Sequence, residues 1–205
     1  MQHFVTTDPM QPGFWNERFE TQFTPWDKGC APLALQAFAA QAERPLVTLI
    51  PGCGKGHEAA FLAQLGWDVM AIDFSPAAVA SAKAAMGEWA KHVVEADFFQ
   101  YQPARPLELI YERAFLCALP VAMRAKIVLR WAELLGSGGL LAGFFYLDDA
   151  LDSSLKGPPF SISTSDLNAL MSPYFELLAD SEVTDSIPVF VGKERWQIWR
   201  KRDLP

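Results

Sequence analysis

"LVTLIPGCGKGHEAAFLAQLGWDVMAIDFSP", residues 46–76, decides the reading of this chain. Leu46–Ile50 is an apolar run suited to a buried strand. Gly52, Gly54 and Gly56 follow, then a helical pattern over His57–Leu65 closed by Gly66, where glycine ends a helix without steric cost. Trp67–Ile72 is a second apolar run, and Asp73 stands at its end. Ser75 and Pro76 then open a further helix through Ala85, serine as N-cap and proline at the first position.

Alternation continues in both directions. "FWNERFETQF" spaces Trp15, Phe19 and Phe23 four apart, one face of a short helix over Phe14–Phe23. Pro32–Ala42 reads as a second helix. Beyond residue 85, His92–Glu95, Leu107–Tyr111 and Gly139–Leu147 read as strands, Val121–Leu135 and Ser165–Leu170 as helices, and Phe175–Val183 and Trp196–Arg200 as two closing strands. Near-continuous apolar strands separated by helices predict a parallel sheet covered on both faces. The last two strands have no helical pattern between them and should pair antiparallel.

The glycine turn can approach a ligand closely and leads into a helix N-terminus, which attracts anions. Its spacing is GxGxG rather than GxGxxG, so a tight turn with no ligand stays open. Lys55 lies inside the turn and is followed by Gly56 and His57. The lysine followed by serine or threonine that a triphosphate loop needs is therefore missing. Asp73, about twenty residues beyond Gly52, can accept both hydroxyls of a ribose, or simply cap a turn. Asp97 and Phe98 end the third strand. An acid there can accept an adenine amino group and an aromatic ring can stack on the base; the alternative is a turn aspartate beside a core phenylalanine. Together these positions describe an adenosine site at the carboxyl edge of the sheet, without separating a dinucleotide from S-adenosylmethionine.

Composition narrows the classes. The 205 residues suffice for one well-packed domain. Seventeen Lys and Arg against 24 Asp and Glu give a net charge of −7. Outside the short run Arg200-Lys201-Arg202 there is no basic cluster, which argues against a nucleic-acid partner. Cys30, Cys53 and Cys117 are far apart and, with His3, His57 and His92, form no metal-ligand spacing. No metal is expected, and reduced thiols fit the cytoplasm. No charged-then-apolar leader and no apolar run of membrane-spanning length are seen, so no membrane association is expected. With no long apolar helix left over, a monomer is expected.

The 46–76 stretch, "EADFF" (95–99) and "YERAFLCALP" (111–120) resemble the thiopurine S-methyltransferase family, whose S-adenosylmethionine-dependent members include thiol and halide methyltransferases. "FWNERFETQFTPWDKG" (14–29), "GPPFSISTSDL" (157–167) and "GKERWQIWRK" (192–201) extend the resemblance over residues 14 to 201. It implies a Rossmann-like class I methyltransferase: α/β, a mostly parallel seven-stranded sheet with an antiparallel C-terminal strand pair. Residues 1–45 would be a helical cover and 46–205 the cofactor-binding domain. Trp15, Phe19 and Trp26 would close over S-adenosyl-L-methionine. Gly52, Gly54 and Gly56 would line its methionine portion, Asp73 with Phe74 would hold its ribose, and Asp97 with Phe98 its adenine. Arg113 would lie near the reacting sulfur as the catalytic residue, contacting cofactor as well. It stands where thiopurine-type members carry arginine, whereas "TPWDKG" and "GPPF" lean to the halide and thiol branch. The acid that often opens the glycine motif is replaced by Ile50. Asp27 is a candidate for the cofactor ammonium in its stead, or a turn cap.

Several side chains keep structural readings. Arg113 could form an ion pair with Glu112 or Glu58, and the N-terminal aromatics could be core. Cys53 and Cys117 read as packed thiols. His57, at the positive end of a helix dipole, reads as neutral and structural. The expected activity is methyl transfer to a small soft nucleophile: a thiol, a thiopurine, a selenium or tellurium species, or a halide. The alternatives are an NAD-dependent oxidoreductase and a non-catalytic S-adenosylmethionine-binding module.

Overall fold

Seven strands carry the architecture of this computed structural model, which describes residues 4–150 and 157–203. They are β1 (Val47–Pro51), β2 (Asp68–Asp73), β3 (Val93–Glu95), β4 (Leu107–Arg113), β5 (Leu135–Tyr146), β6 (Phe175–Glu182) and β7 (Glu194–Lys201). They form one sheet in the order β3-β2-β1-β4-β5-β7-β6. Strands β1 to β5 pair in parallel. Strand β7 runs antiparallel to both β5 and β6, as the closing sequence predicts. The order reverses between β1 and β4, which opens a crevice at the carboxyl ends of these strands.

Among the described residues six α-helices flank the sheet: α1 (Pro12–Glu20), α2 (Leu33–Gln41), α3 (His57–Gln64), α4 (Pro76–Met86), α5 (Arg124–Leu134) and α6 (Thr164–Met171). Their apolar faces make two cores, one on each side of the sheet. Leu35, Leu62, Ala82, Tyr111 and Trp196 fill one; Ile127, Trp131, Leu167, Phe145 and Trp199 fill the other. Each large apolar side chain buried in this way contributes about 1.5–3 kcal/mol.

Three expectations shift. Helix α1 ends at Glu20 and Gln22 takes a left-handed φ of 57°, so Phe23 leaves the helix and packs on Phe4 with ring centroids 5.3 Å apart. The expected helix from Val121 begins as a 3-10 turn over Val121–Met123 after Pro120. Strand β5 begins at Leu135 rather than Gly139, because Leu135 pairs with Leu107 across a register shift that the glycine-rich run accommodates. His3 lies outside the described residues. Among the described residues no helix is long and apolar enough to cross a membrane.

Candidate active site

A cavity of about 670 Å³ lies at the carboxyl ends of β1, β2 and β4, walled on the far side by α1 and the segment after it. The glycine turn forms its floor. Gly52, Gly54 and Gly56 all take left-handed φ, at +61°, +53° and +72°. A Cβ on Gly52 would stand 2.7 Å from Phe115 Cδ2, and one on Gly54 3.6 Å from Phe19 Cζ. These two glycines line the cavity. Gly56 does not: its Cβ would meet Met86 Sδ at 2.6 Å, so it allows α3 to pack closely on α4.

Asp73, Phe74, Asp97 and Phe98 also line the cavity. Asp73 Oδ2 accepts from Gly54 N–H at 3.2 Å and Oδ1 from Ser75 N–H at 2.9 Å. Burial still pushes its carboxyl up to about 6. Asp97 accepts from Phe99 N–H at 2.9 Å. Phe98 is buried between Phe99 and Phe115, with ring centroids at 5.3 and 5.0 Å, so it belongs to the core as well as to the cavity wall.

The N-terminal aromatics converge. Trp15 and Trp26 meet edge to face with centroids 5.6 Å apart, and Phe19 lies 6.2 Å from Trp26. The Trp15 indole N–H donates to Pro9 O at 2.9 Å. Two further contacts, unmarked in the sequence, dock this segment. Asn16 Oδ1 accepts from the Ser75 hydroxyl at 2.7 Å, while Ser75 Oγ accepts from Ala78 N–H as the expected N-cap. Asp27 lies 2.7 Å from Lys55 Nζ and 3.3 Å from His57 Nε2. Burial would raise the Asp27 carboxyl, but His57, Lys55 and the Gly29 N–H outweigh it and hold the group below the usual carboxylate range. The same contact raises the His57 pKa. His57 is therefore a cation-forming partner of Asp27, and the adjacent carboxylate overrides the helix dipole from which a neutral ring is expected.

Arg113 closes β4 and enters the cavity. Its Nε lies 4.0 Å from Glu58 Oε1, its Nη2 3.7 Å from Glu194 Oε1, and its guanidinium carbon 4.7 Å from the Phe144 ring centroid. The ion pair read from the sequence is thus found with Glu58 and with Glu194 rather than with Glu112. Glu112 turns away and accepts from the Phe115 and Leu116 N–H groups, both at 3.2 Å. Burial pushes its carboxyl up to about 8. Among the described residues Arg113 Nη1 and Tyr111 Oη are buried with no hydrogen-bond partner.

A family model described as thiopurine S-methyltransferase matches residues 10–203. The chain belongs to the thiopurine S-methyltransferase family. It is an S-adenosyl-L-methionine-dependent methyltransferase, and family membership sets aside the NAD-dependent reading. Thiocyanate methyltransferase 1 of Arabidopsis thaliana is 29% identical over 198 residues, covering 94% of this chain and 86% of that protein. A thiopurine S-methyltransferase of Shewanella piezotolerans is 30% identical over 209 residues, covering 90% and 93%.

Solved structures share the fold of this family member at low sequence identity. A Burkholderia thailandensis 1,6-didemethyltoxoflavin-N1-methyltransferase, solved with S-adenosylhomocysteine, matches with a TM-score of 0.74 at 16% identity, covering 98% of this chain and 94% of that one. Magnesium protoporphyrin IX methyltransferase from Synechocystis PCC 6803 gives 0.70 at 15% identity, covering 94% and 99%. Several cavity residues of this thiopurine S-methyltransferase family member escape sequence reasoning, among them Phe115, Phe190 and the side chain of Lys55. Phe115 and Lys55 both sit inside quoted stretches that do not mark them as cavity-lining, and Phe190 carries no pattern of its own.

Proposed function

We propose that this methyltransferase acts on a small soft nucleophile: a thiol or thiopurine first, a selenium or tellurium species or a halide by the same chemistry. The observation that carries this reading is Arg113, buried at the end of β4 in the same cavity as the glycine turn and Asp73. The relatives named for thiocyanate and for thiopurine support it, since both names point to sulfur acceptors.

The cavity fits the cofactor. Gly52 and Gly54 keep clear a floor that a Cβ would crowd, and Asp73 offers a buried carboxylate beside it. When bound, S-adenosylmethionine supplies an electrophilic methyl group on a sulfonium. The chain's own residues bind, orient and exclude water. Asp73 and Phe74 hold the ribose, Asp97 and Phe98 the adenine, and Gly52 and Gly54 the methionine portion, with Gly56 shaping the turn. Trp15, Phe19 and Trp26, within a 1–45 cover over the domain of residues 46–205, close the site. Positioning and exclusion of water lower the barrier to a bimolecular substitution. Arg113 orients the acceptor. We place the enzyme in the cytoplasm as a monomer with no nucleic-acid partner, on its acidic charge and its free cysteines Cys30, Cys53 and Cys117.

Calorimetry with S-adenosylhomocysteine and a product screen over aliphatic thiols, 6-mercaptopurine, selenite and iodide test the proposal. Binding together with a methylated sulfur product is expected. Binding with no methylated product from any acceptor would leave a non-catalytic module.

A further inference from the structure

Among the described residues four carboxylates line the cavity: Asp27, Glu58, Asp73 and Asp97. Three are committed. Asp27 accepts from Gly29 N–H, Asp73 from Gly54 and Ser75 N–H, and Asp97 from Phe99 N–H. Glu58 differs. It stands in the first turn of α3, its side chain is 15% exposed, and among the described residues it accepts no hydrogen bond from another residue; the cation facing it most strongly is Arg113, with Nε at 4.0 Å, ahead of its chain neighbour His57. That separation is too long for a hydrogen bond, so the carboxylate is near a cation yet retains its acceptor capacity.

We propose that Glu58 is the general base of this enzyme and that the acceptor enters as a protonated thiol. This rests on the reading of the cavity as a methyl-transfer site and goes beyond it by assigning the proton. A thiol with an ordinary pKa of about 8.5 is mostly protonated at neutral pH and a poor nucleophile in that form. In the step, the acceptor's S–H proton passes to a Glu58 carboxylate oxygen. The freed electron pair on sulfur forms the new S–CH3 bond. The methyl–sulfonium bond breaks with its electrons left on the departing sulfur. Glu58 then releases the proton to water, so a thioether, the demethylated cofactor and one proton result.

The other titratable groups facing this carboxylate are poorly placed for the task. Arg113 and Tyr111 come from β4, His57 precedes Glu58 on α3, Cys53 sits in the turn, and Asp27 reaches over from the cover. His57 is engaged by Asp27. Burial raises the Tyr111 hydroxyl and the Cys53 thiol, which keeps both protonated. Burial also raises the Glu58 carboxyl, against the pull of Arg113, which moves it toward the working range of a base.

The experiment compares wild type and Glu58→Gln with two thiols, 2-mercaptoethanol and thiophenol, the second largely ionised at neutral pH. S-adenosylhomocysteine affinity by calorimetry reports the folded, cofactor-competent site independently of turnover. Expected is an affinity within about threefold of wild type, with kcat/KM for 2-mercaptoethanol lowered by about 100-fold and a loss for thiophenol at least about 30-fold smaller. The wild-type rate with 2-mercaptoethanol should fall as pH drops through the Glu58 pKa, and that acid limb should vanish in the variant. Equal losses for both thiols, or an affinity for S-adenosylhomocysteine weakened about tenfold, would overturn the base role and make Glu58 a structural or ammonium-holding group. A wild type that methylates neither thiol would overturn the protonated-thiol acceptor on which the base role depends, and the acceptor screen above would separately test methyl transfer itself.

Discussion

Asp27 Oδ2 lies 2.7 Å from Lys55 Nζ, so the segment before the sheet is pinned to the glycine turn by an ion pair. The pair is mostly enclosed, with 15% and 31% of the two side chains exposed. Asp27→Ala should leave the global fold intact and loosen the cover. Expected are faster hydrogen exchange over residues 12–30 and S-adenosylhomocysteine binding weakened by about tenfold, the worth of a charge-assisted contact. Wild-type exchange in that segment should rise with salt, and exchange in the variant should not.

The neighbouring contact of Asp27 with His57 sets a pH dependence. The folded pKa of His57 is raised, so its contribution to stability is complete below its ordinary value of about 6.5 and disappears as pH climbs through the folded value. The folded pKa of Asp27 is lowered, so its contribution is present above about 3.8 and disappears as pH falls through the folded value. Cover docking, read by exchange or limited proteolysis, should therefore be firmest in the mildly acidic window between them. In His57→Gln the loosening on the alkaline side should disappear.

Asp73 has the opposite sign. Burial lifts its carboxyl to about 6, so the folded chain loses stability as pH rises from about 3.8 through 6. A ribose that donates two hydroxyls to the ionised carboxylate reverses this. S-adenosylhomocysteine should bind more tightly as pH rises from 5 to 7, with proton release near pH 6 seen as a buffer-dependent binding enthalpy. Asp73→Asn should weaken binding and flatten its pH dependence. A pH-independent affinity in wild type would remove Asp73 from the ribose.

Gly52 is restricted twice over, with φ at +61° and the rigid Phe115 ring, Cδ2 at 2.7 Å, against any Cβ. Gly52→Ala should cost about 1–2 kcal/mol from the left-handed backbone and more from the ring contact. A chain of this size should lose roughly 2–4 °C of Tm per kcal/mol. Adding Phe115→Leu should restore the part due to collision and leave the backbone part, which a thermal melt of the double variant measures.

Trp15 and Trp26, edge to face over the cavity, should report closure. Trp26→Leu should abolish most of the fluorescence change on adding S-adenosylhomocysteine and raise its Kd several-fold, by about 1 kcal/mol of aromatic contact. A full-sized signal in that variant would place the reporting tryptophan elsewhere.

Local chemistry alone determined much of this protein. Near-continuous apolar runs and helical patterns placed the strands and helices to within a few residues, because strands covered on both faces and helices covered on one must bury their apolar side chains. Ser75 and Pro76 announced a helix start that the Ala78 N–H bond realises, and glycines marked a turn that needs left-handed backbone. Tertiary structure decided which charges meet. Asp27 finds Lys55 and His57, and Arg113 finds Glu58 and Glu194 rather than its neighbour Glu112, because side chains on adjacent strand positions point to opposite faces of the sheet. It also separated Gly56, which faces Met86, from Gly52 and Gly54, which face the cavity. Spacing fixes that a backbone turns; only the packed neighbours fix what the turn faces.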